Sequence, residues 1–297
     1  ADKLLWAERQ AQARLSPQIS ALQAELEKTF AVAFDTHSHL LTVYASHDDA
    51  LVQLREHSAR ESLHLDMRFC GSVDALRALN EGRCNVAGFH APVQPSSRSL
   101  IARTYKPLLR TGQHKLIGFA LRQQGLMVAP GNPQKIGQLS DLTRPGIRYI
   151  NRSLGTGTRL LLDHWLGETG LSPESILGYQ QEEPSHAAVA AQIASGRADV
   201  GLGIASAAQS QGLDFMPLQT ENYWLVCLKS TLQTPAMQAL TQILQSNDWQ
   251  MRLDQVTGYQ AGDVQVVDDD RCDDDVFRTD NLWWRLRGGY WYRASSW

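Results

Sequence analysis

Gly146-Ile-Arg-Tyr-Ile-Asn-Arg-Ser-Leu-Gly-Thr-Gly-Thr-Arg-Leu-Leu-Leu-Asp-His-Trp165 is the stretch whose reading decides the fold. Ile147, Tyr149 and Ile150 read as a short buried strand, and Leu160, Leu161, Leu162 and Trp165 fall at helical spacing. Ser153 to Thr158 must then be the turn from strand to helix. Gly155 and Gly157 let that turn fold tightly and let a ligand approach bare backbone. The N–H groups of Thr156, Gly157, Thr158 and Arg159 fall in the first helical turn, unpaired within the helix and at the positive end of its dipole. Such a turn is an anion site. The hydroxyls of Thr156 and Thr158 and the fork of Arg152 add donors suited to a small tetrahedral or planar oxyanion. The competing reading is that Thr156 or Thr158 merely caps the helix.

The same device recurs upstream. Leu41 to Ala45 reads as a strand, followed by Ser46-His-Asp-Asp49 and a helix that Ser46 or Asp48 can cap. Leu63 to Phe69 alternates like a strand and leads through Gly71-Ser72 into a helix carrying Val73, Leu76 and Leu79. Val86 to Phe89 follows as a short strand. Residues 116–121 and 125–129 read as two strands separated by the polar Arg122-Gln-Gln124, with a short helix over 136–142. Downstream come a helix from His186 to Ile193, a strand over 199–203 and a helix starting near Ala205. Phe215 to Leu218, a strong buried strand over 223–228 and closing helices over 235–246 and 248–253 complete the pattern. Strands alternating with helices predict an α/β architecture with largely parallel sheets.

Residues 1–34 form one long helix in which Leu15, Ile19, Leu22 and Leu26 recur at steps of four, three and four, extended upstream by Leu4 and Ala11. Pro17 lies inside it and kinks or divides it. The helix packs on its own domain or pairs with a second copy. The narrow seam, closer to a coiled coil than to the stripe a globular domain needs, favours pairing.

With 297 residues, 43% of them hydrophobic and 20% charged, the chain has room for two medium lobes of an ordinary globular protein. Its net charge of −3 gives no electrostatic push toward nucleic acid. No run of 18 apolar residues is present, so no membrane-spanning segment is expected. Cys70, Cys84, Cys227 and Cys272 form no C-x-x-C pair, which argues against a zinc site and reads as reduced thiols in the cytoplasm. The tail 264–297 holds the acidic block Asp268 to Asp275 and a Trp- and Tyr-rich end; it reads as disordered or as an artificial extension.

Taken together, Ala45-Ser-His-Asp48, Gly71-Ser72, Arg122-Gln-Gln-Gly-Leu126, Ala129-Pro-Gly-Asn-Pro133 and Asn151-Arg-Ser-Leu-Gly-Thr-Gly-Thr-Arg159 carry a resemblance. Gly178-Tyr179, His186, Gly196 to Gly203, Gly212 to Phe215 and Gly258-Tyr259 extend it. In this order, over residues 40–262, they resemble the periplasmic-binding-protein-like domain of the molybdate-binding type. That domain occurs behind a winged helix-turn-helix in bacterial regulators of the LysR or molybdate-responsive kind. The chain departs from the family where Thr156-Gly-Thr-Arg159 replaces Ser-Gly-Thr-Arg, and around Pro92 to Ser99.

The resemblance implies a two-lobed α/β fold (type 2) behind a linker and dimerisation helix, residues 1–34. Lobe one would comprise residues 40–120 plus 225–262, and lobe two residues 121–224, with the ligand between them. This agrees with the residue-level reading, since ligands of open α/β sheets gather at the C-terminal ends of strands. The candidate ligand-binding residues are Ser46, His47 and Ser72 from one lobe and Asn151, Arg152, Thr156, Thr158 and His186 from the other. His47 reads equally as an exposed helix-start histidine, His186 as a structural one, and Asp48 as a cap, because its charge repels an oxyanion.

The implied function is sensing. A cytoplasmic effector-binding domain of a dimeric transcription regulator would bind molybdate, tungstate or a molybdopterin-related ligand and would use no cofactor. It would contact DNA only through a domain outside this chain. The alternative is an oxyanion receptor of a transport system, in which a heptad-like helix has no use. Nothing reads as a nucleophile–base pair, metal constellation or paired carboxylates, so an enzyme is the poorest reading.

Overall fold

The computed structural model describes residues 2–34, 39–93, 99–110, 112–261, 284–287 and 290–293. Helix α1 (Asp2–Phe34) precedes a run of strand and helix pairs: β1 (His39–Ala45), α2 (Asp49–Arg60), β2 (Leu63–Phe69), α3 (Ser72–Asn80), β3 (Val86–Pro92) and α4 (Leu100–Tyr105). The long β4 (His114–Val128) leads to β5 (Tyr149–Arg152), α5 (Gly157–Thr169), β6 (Glu182–Glu183), α6 (His186–Ala194), β7 (Val200–Ile204) and α7 (Ala205–Ser210). A second long strand, β8 (Asp214–Leu228), is followed by α8 (Lys229–Leu232), α9 (Pro235–Gln245), α10 (Asn247–Asp254) and β9 (Tyr259–Ala261). No helix among the described residues is long and apolar enough to cross a membrane.

The strands form one sheet in the order β2-β1-β3-β8-β4-β7-β5-β6, with β9 added to β4. β1 pairs in parallel with β2 and β3, and β5 with β6 and β7, as expected for strands joined through helices. The pairs β3–β8, β4–β8, β4–β7 and β4–β9 are antiparallel. The sheet is therefore mixed, where a largely parallel one was expected. The reason lies in the two long strands. β4 and β8 run antiparallel from His114↔Leu228 to Val128↔Asp214, so each serves the β1–β2–β3 half at one end and the β5–β6–β7 half at the other. The result is a two-lobed α/β fold in which two continuous strands link the lobes.

The same strands correct a second expectation. Residues 116–121 and 125–129 were expected to be two strands but belong to one 15-residue strand, and the strand expected over 223–228 extends back to Asp214 to make another of 15 residues. The polar Arg122 and Gln124 that suggested a break are buried inside the strand and paired through their side chains. Polarity at that point marks a buried network.

Three apolar clusters make the core. One runs along β1, β2, α2, α9 and α10 and continues past Phe119 and Met127 to Ile150 and Val189. A second lies under α3 and α4, with Leu161 of α5 reaching into it, and a third packs β5, β7 and α5 around Leu162 and Leu202. Helix α1 packs on the chain with the face opposite to its apolar seam. Gln10, Ala13 and Ser20 are buried, whereas Leu4, Leu15, Ile19, Leu22 and Leu26 are exposed. In the tail, Trp284–Arg287 (β10) pairs antiparallel with Tyr290–Arg293 (β11). The acidic block and the rest of 264–297 lie outside the described residues.

Candidate functional site

Four helices begin around one point between the lobes. Asp48 caps α2, its Oδ1 accepting from Ala50 N at 2.9 Å, and Ser185 caps α6, its Oγ accepting from Ala188 N at 3.1 Å. Thr156 caps α5, accepting from Arg159 N at 3.4 Å while its own hydroxyl donates to the Ser153 carbonyl at 2.8 Å. α3 starts at Ser72 after Gly71 with no side-chain cap, so its first N–H groups have no side-chain acceptor of their own. The lobes touch here. A Cβ on Gly71 would stand 2.5 Å from the Gly155 carbonyl oxygen, so only glycine fits where the β2–α3 turn meets the β5–α5 turn. A Cβ on Gly157 would lie 3.3 Å from Tyr105 Oη, 3.5 Å from His90 Cβ and 3.6 Å from Ser72 Oγ, which locates these three groups against the start of α5.

Two arginines lie buried at this junction, in different circumstances. Arg122 of β4 is paired with two carboxylates: its Nη1 donates to Asp48 Oδ2 at 2.8 Å and its Nε to Glu221 Oε2 at 3.1 Å, and the Tyr259 hydroxyl donates to the same Asp48 oxygen at 2.6 Å. Burial acts to lower the pKa of Arg122, but Glu221, Tyr259, Asp48 and Tyr223 outweigh it and raise the value. Arg152, at the end of β5, is 2% exposed and has no carboxylate within ion-pair distance among the described residues. Its Nη1 donates to the Glu183 backbone carbonyl at 2.9 Å, and its buried Nε has no partner. Burial and then the charge of Arg122 push its pKa down to about 9, with Glu183 opposing.

Against the start of α5, Ser72 Oγ, Tyr105 Oη and both ring nitrogens of His90 are buried without a partner of good hydrogen-bonding geometry, although Ser72 and Tyr105 lie near enough to interact with each other. Tyr223, its ring 3.8 Å from that of His90, adds a buried unpartnered Oη, His186 an Nδ1, and Ser46 at the end of β1 an Oγ. Buried polar groups are ordinarily satisfied, so such a concentration at one junction calls for an explanation. His90 and His186 are held well below the ordinary imidazole pKa, first by burial and then by the two arginines. Both are neutral at pH 7, each with one ring donor and one acceptor. Chemically, the junction offers one unpaired cation, several hydroxyls and imidazoles, and the open N–H groups of helix starts.

Of the residues singled out in the sequence, Ser46, Ser72, Arg152 and His186 each carry a buried unpartnered polar atom, and Arg152 lies close enough to His186 to depress its pKa. Thr158 is close but engaged, accepting from Gln124 Nε2 at 2.9 Å. Thr156 spends its hydroxyl on local capping, the competing reading given for it above. Asn151 is committed to backbone, donating to the Tyr179 carbonyl at 3.1 Å and accepting from Arg152 N at 3.0 Å. His47 is half-buried with Nε2 3.5 Å from Ser16 Oγ of α1 and its ring edge on Phe69 at 4.8 Å between centroids. Sequence reading missed His90, Tyr105 and Tyr223. His90 had a usable signal, a histidine in the otherwise apolar run Val86 to Pro92; the two tyrosines read as ordinary core aromatics.

A family model described as the PBP superfamily domain matches residues 54–245. An uncharacterised protein of Bacillus subtilis (strain 168), YvgK, is 36% identical over 195 residues, which are 65% of this chain and 62% of YvgK. The chain thus spans about three fifths of that relative's length. Among solved structures, one from Clostridium perfringens assigned as a phosphate ABC transporter substrate-binding protein and carrying bound phosphate aligns with a TM-score of 0.54 at 12% identity. It covers 76% of this chain and 100% of its own. A histidine kinase sensor domain similar to periplasmic binding proteins aligns at 0.51 and 13%, over 75% of this chain and 98% of its own. At these identities the two structures speak for the fold alone.

Proposed function

The chain belongs to the PBP superfamily, whose domains bind ligands between two lobes, and on that premise we propose that it binds a small oxyanion at the Arg152 junction. The observation that carries this reading is Arg152 itself: a buried guanidinium with an unpartnered Nε and no carboxylate within ion-pair distance among the described residues, close enough to the buried His90 and His186 to depress their pKa values. Burying an unpaired charge is costly, and an anion accepting from these donors removes the cost. Molybdate and tungstate, or a molybdopterin-related ligand presenting an oxyanion, are the ligands that the sequence resemblance favours.

The role we propose is that of a sensor domain in a dimeric bacterial transcription regulator. The apolar seam of α1 supports it, because Leu4, Leu15, Ile19, Leu22 and Leu26 face away from the chain that carries them. An exposed stripe at coiled-coil spacing suits a second copy of the same helix. DNA contact would belong to a separate domain.

The test is calorimetry with molybdate, tungstate, sulfate, phosphate and formate on the wild type and on Arg152→Met. One or more tetrahedral oxyanions should bind to the wild type, and loss of the charge-assisted bonds should weaken that binding by about 10- to 150-fold. Equal, weak heats for all five anions in both proteins would end the proposal.

A further inference from the structure

Helix α1 rests on both lobes, and its two footprints meet at a proline. On the lobe-two side, Gln10 Nε2 donates to Glu183 Oε1 at 3.2 Å, and Arg14 clasps the same carboxylate through Nε at 2.9 Å and Nη2 at 2.6 Å. Ala13 is buried against Ala188 and Ala191 of α6. On the lobe-one side, the Ser20 carbonyl accepts from Arg55 Nη1 at 2.7 Å and Glu25 Oε2 from Arg68 Nη2 at 2.6 Å. Pro17 lies between the footprints, inside a helix that runs through it. Lacking an N–H, it leaves the carbonyl of Ala13, four residues earlier, without its helical donor. The Ser185 hydroxyl supplies one, at 3.1 Å.

Both lobe-two anchors border the anion site. Glu183 holds α1 with its carboxylate and holds Arg152 with its backbone carbonyl, while Ser185 immediately precedes His186 at the start of α6. We propose that α1 is a strap hinged at Pro17 across the two lobes, and that Glu183 is a positioning residue through which occupancy of the anion site and docking of α1 become one equilibrium. The coupling to a ligand rests on the oxyanion reading above; the strap itself does not.

A rotation that opens one lobe from the other about β4 and β8 would draw the two footprints apart. The strap must then bend at Pro17 or release an anchor. Contacts of α1 therefore favour the arrangement in which Gly71 meets Gly155, which is also the arrangement that closes the site around a ligand. Linkage makes the effect reciprocal: a ligand tightens the docking of α1, and a loosened α1 weakens the ligand.

The experiment uses the double variant Gln10→Ala, Arg14→Ala, which alters two side chains of α1 that lie outside the anion site, with folding checked by circular dichroism. Calorimetry with sulfate and molybdate should show affinity about 5- to 150-fold below wild type. Hydrogen exchange in residues 2–16 of the wild type should slow when either anion is added. Unchanged affinity together with unchanged exchange overturns the proposal. Failure of the wild type to bind either anion would refute the oxyanion reading instead. The strap is then decided by small-angle scattering without ligand, where the variant should have a larger radius of gyration than the wild type; equal radii overturn it.

Discussion

Burial first, and two buried arginines second, set how the histidines of the junction titrate. His90 and His186 are fully buried and carry pKa values depressed well below 6.5, by burial and by Arg122 and Arg152, with His47 adding to the effect on His186. Unfolding returns both to about 6.5, so below that pH the unfolded chain binds more protons and stability falls as pH drops from about 7 toward 5. Asp48 lies nearby in its pair with Arg122. Glu221, whose pKa burial raises against the pull of Arg122, works in the opposite sense. The histidine share is therefore the difference between the wild type and His90→Gln, His186→Gln in urea denaturation across pH 5–8. A bound dianion lifts both imidazole pKa values, so sulfate should bind more tightly as pH falls into the range where these depressed imidazoles take up protons, with that uptake visible as buffer-dependent calorimetric heat. Buffer-independent heats would sink this expectation. A second prediction concerns Gly71, where a methyl group meets the Gly155 carbonyl at 2.5 Å. Gly71→Ala should hold the turns apart and weaken oxyanion binding about tenfold or more while leaving each lobe folded; wild-type affinity would show that the turns need not touch. At this scale the sequence pointed to the strand-to-helix turns, where Ser46, Ser72, Arg152 and His186 carry buried unpartnered polar atoms while Thr156 and Asn151 spend theirs locally. His90 in β3, Tyr223 in β8 and Tyr105 in α4 stand at no such turn, and a buried aromatic looks the same in a sequence whether its polar tip is satisfied or waiting.

The element that most resisted sequence reading is β4. Strand patterns are recognised by what water selects on an exposed face, and Arg122-Gln-Gln124 reads as a break when the partners Asp48, Glu221 and Thr158 lie far away in the chain. Those partners also explain why the strand can stay continuous while crossing between lobes: its buried cation is neutralised from both β8 and the start of α2. Removing one member of such a network leaves uncompensated buried charge, so Arg122→Met should destabilise the fold by about 3–5 kcal/mol, read from chemical denaturation. A loss below about 1 kcal/mol would mean that Asp48 and Glu221 take up protons at little cost. In the case of α1, periodicity located the helix and its apolar seam correctly but could not say which face the rest of the chain would cover. The answer turned on polar anchors: Glu183 and Ser185 capture Gln10, Arg14 and the Ala13 carbonyl, and this turns Leu15, Ile19, Leu22 and Leu26 outward.

For the whole molecule, the outward seam and the closed junction lead to separate measurements. A face carrying Leu15 at 52%, Leu22 at 71% and Leu26 at 57% exposure is stabilised by burial against a second copy. Light scattering at micromolar concentration should therefore report a dimer, and Leu22→Glu, Leu26→Glu a monomer. A monomeric wild type would leave the seam without the partner proposed for it. Closure follows from the charge in the junction. Without an anion, the closed arrangement confines Arg152 with His90 and His186 away from water, and Arg152 Nε, His186 Nδ1 and both ring nitrogens of His90 are desolvated without return. Parting the Gly71 and Gly155 turns readmits water, so the ligand-free protein should populate an open form. An oxyanion supplies acceptors to donors from both lobes at once and therefore binds the closed form better, and that difference in affinity is the whole of its power to shift the equilibrium. Small-angle scattering on the Leu22→Glu, Leu26→Glu monomer, free of dimer geometry, should show a smaller radius of gyration with saturating molybdate or sulfate than without. An unchanged radius, with binding established by calorimetry, would mean that the anion enters a site already closed and that lobe rotation is not what it controls.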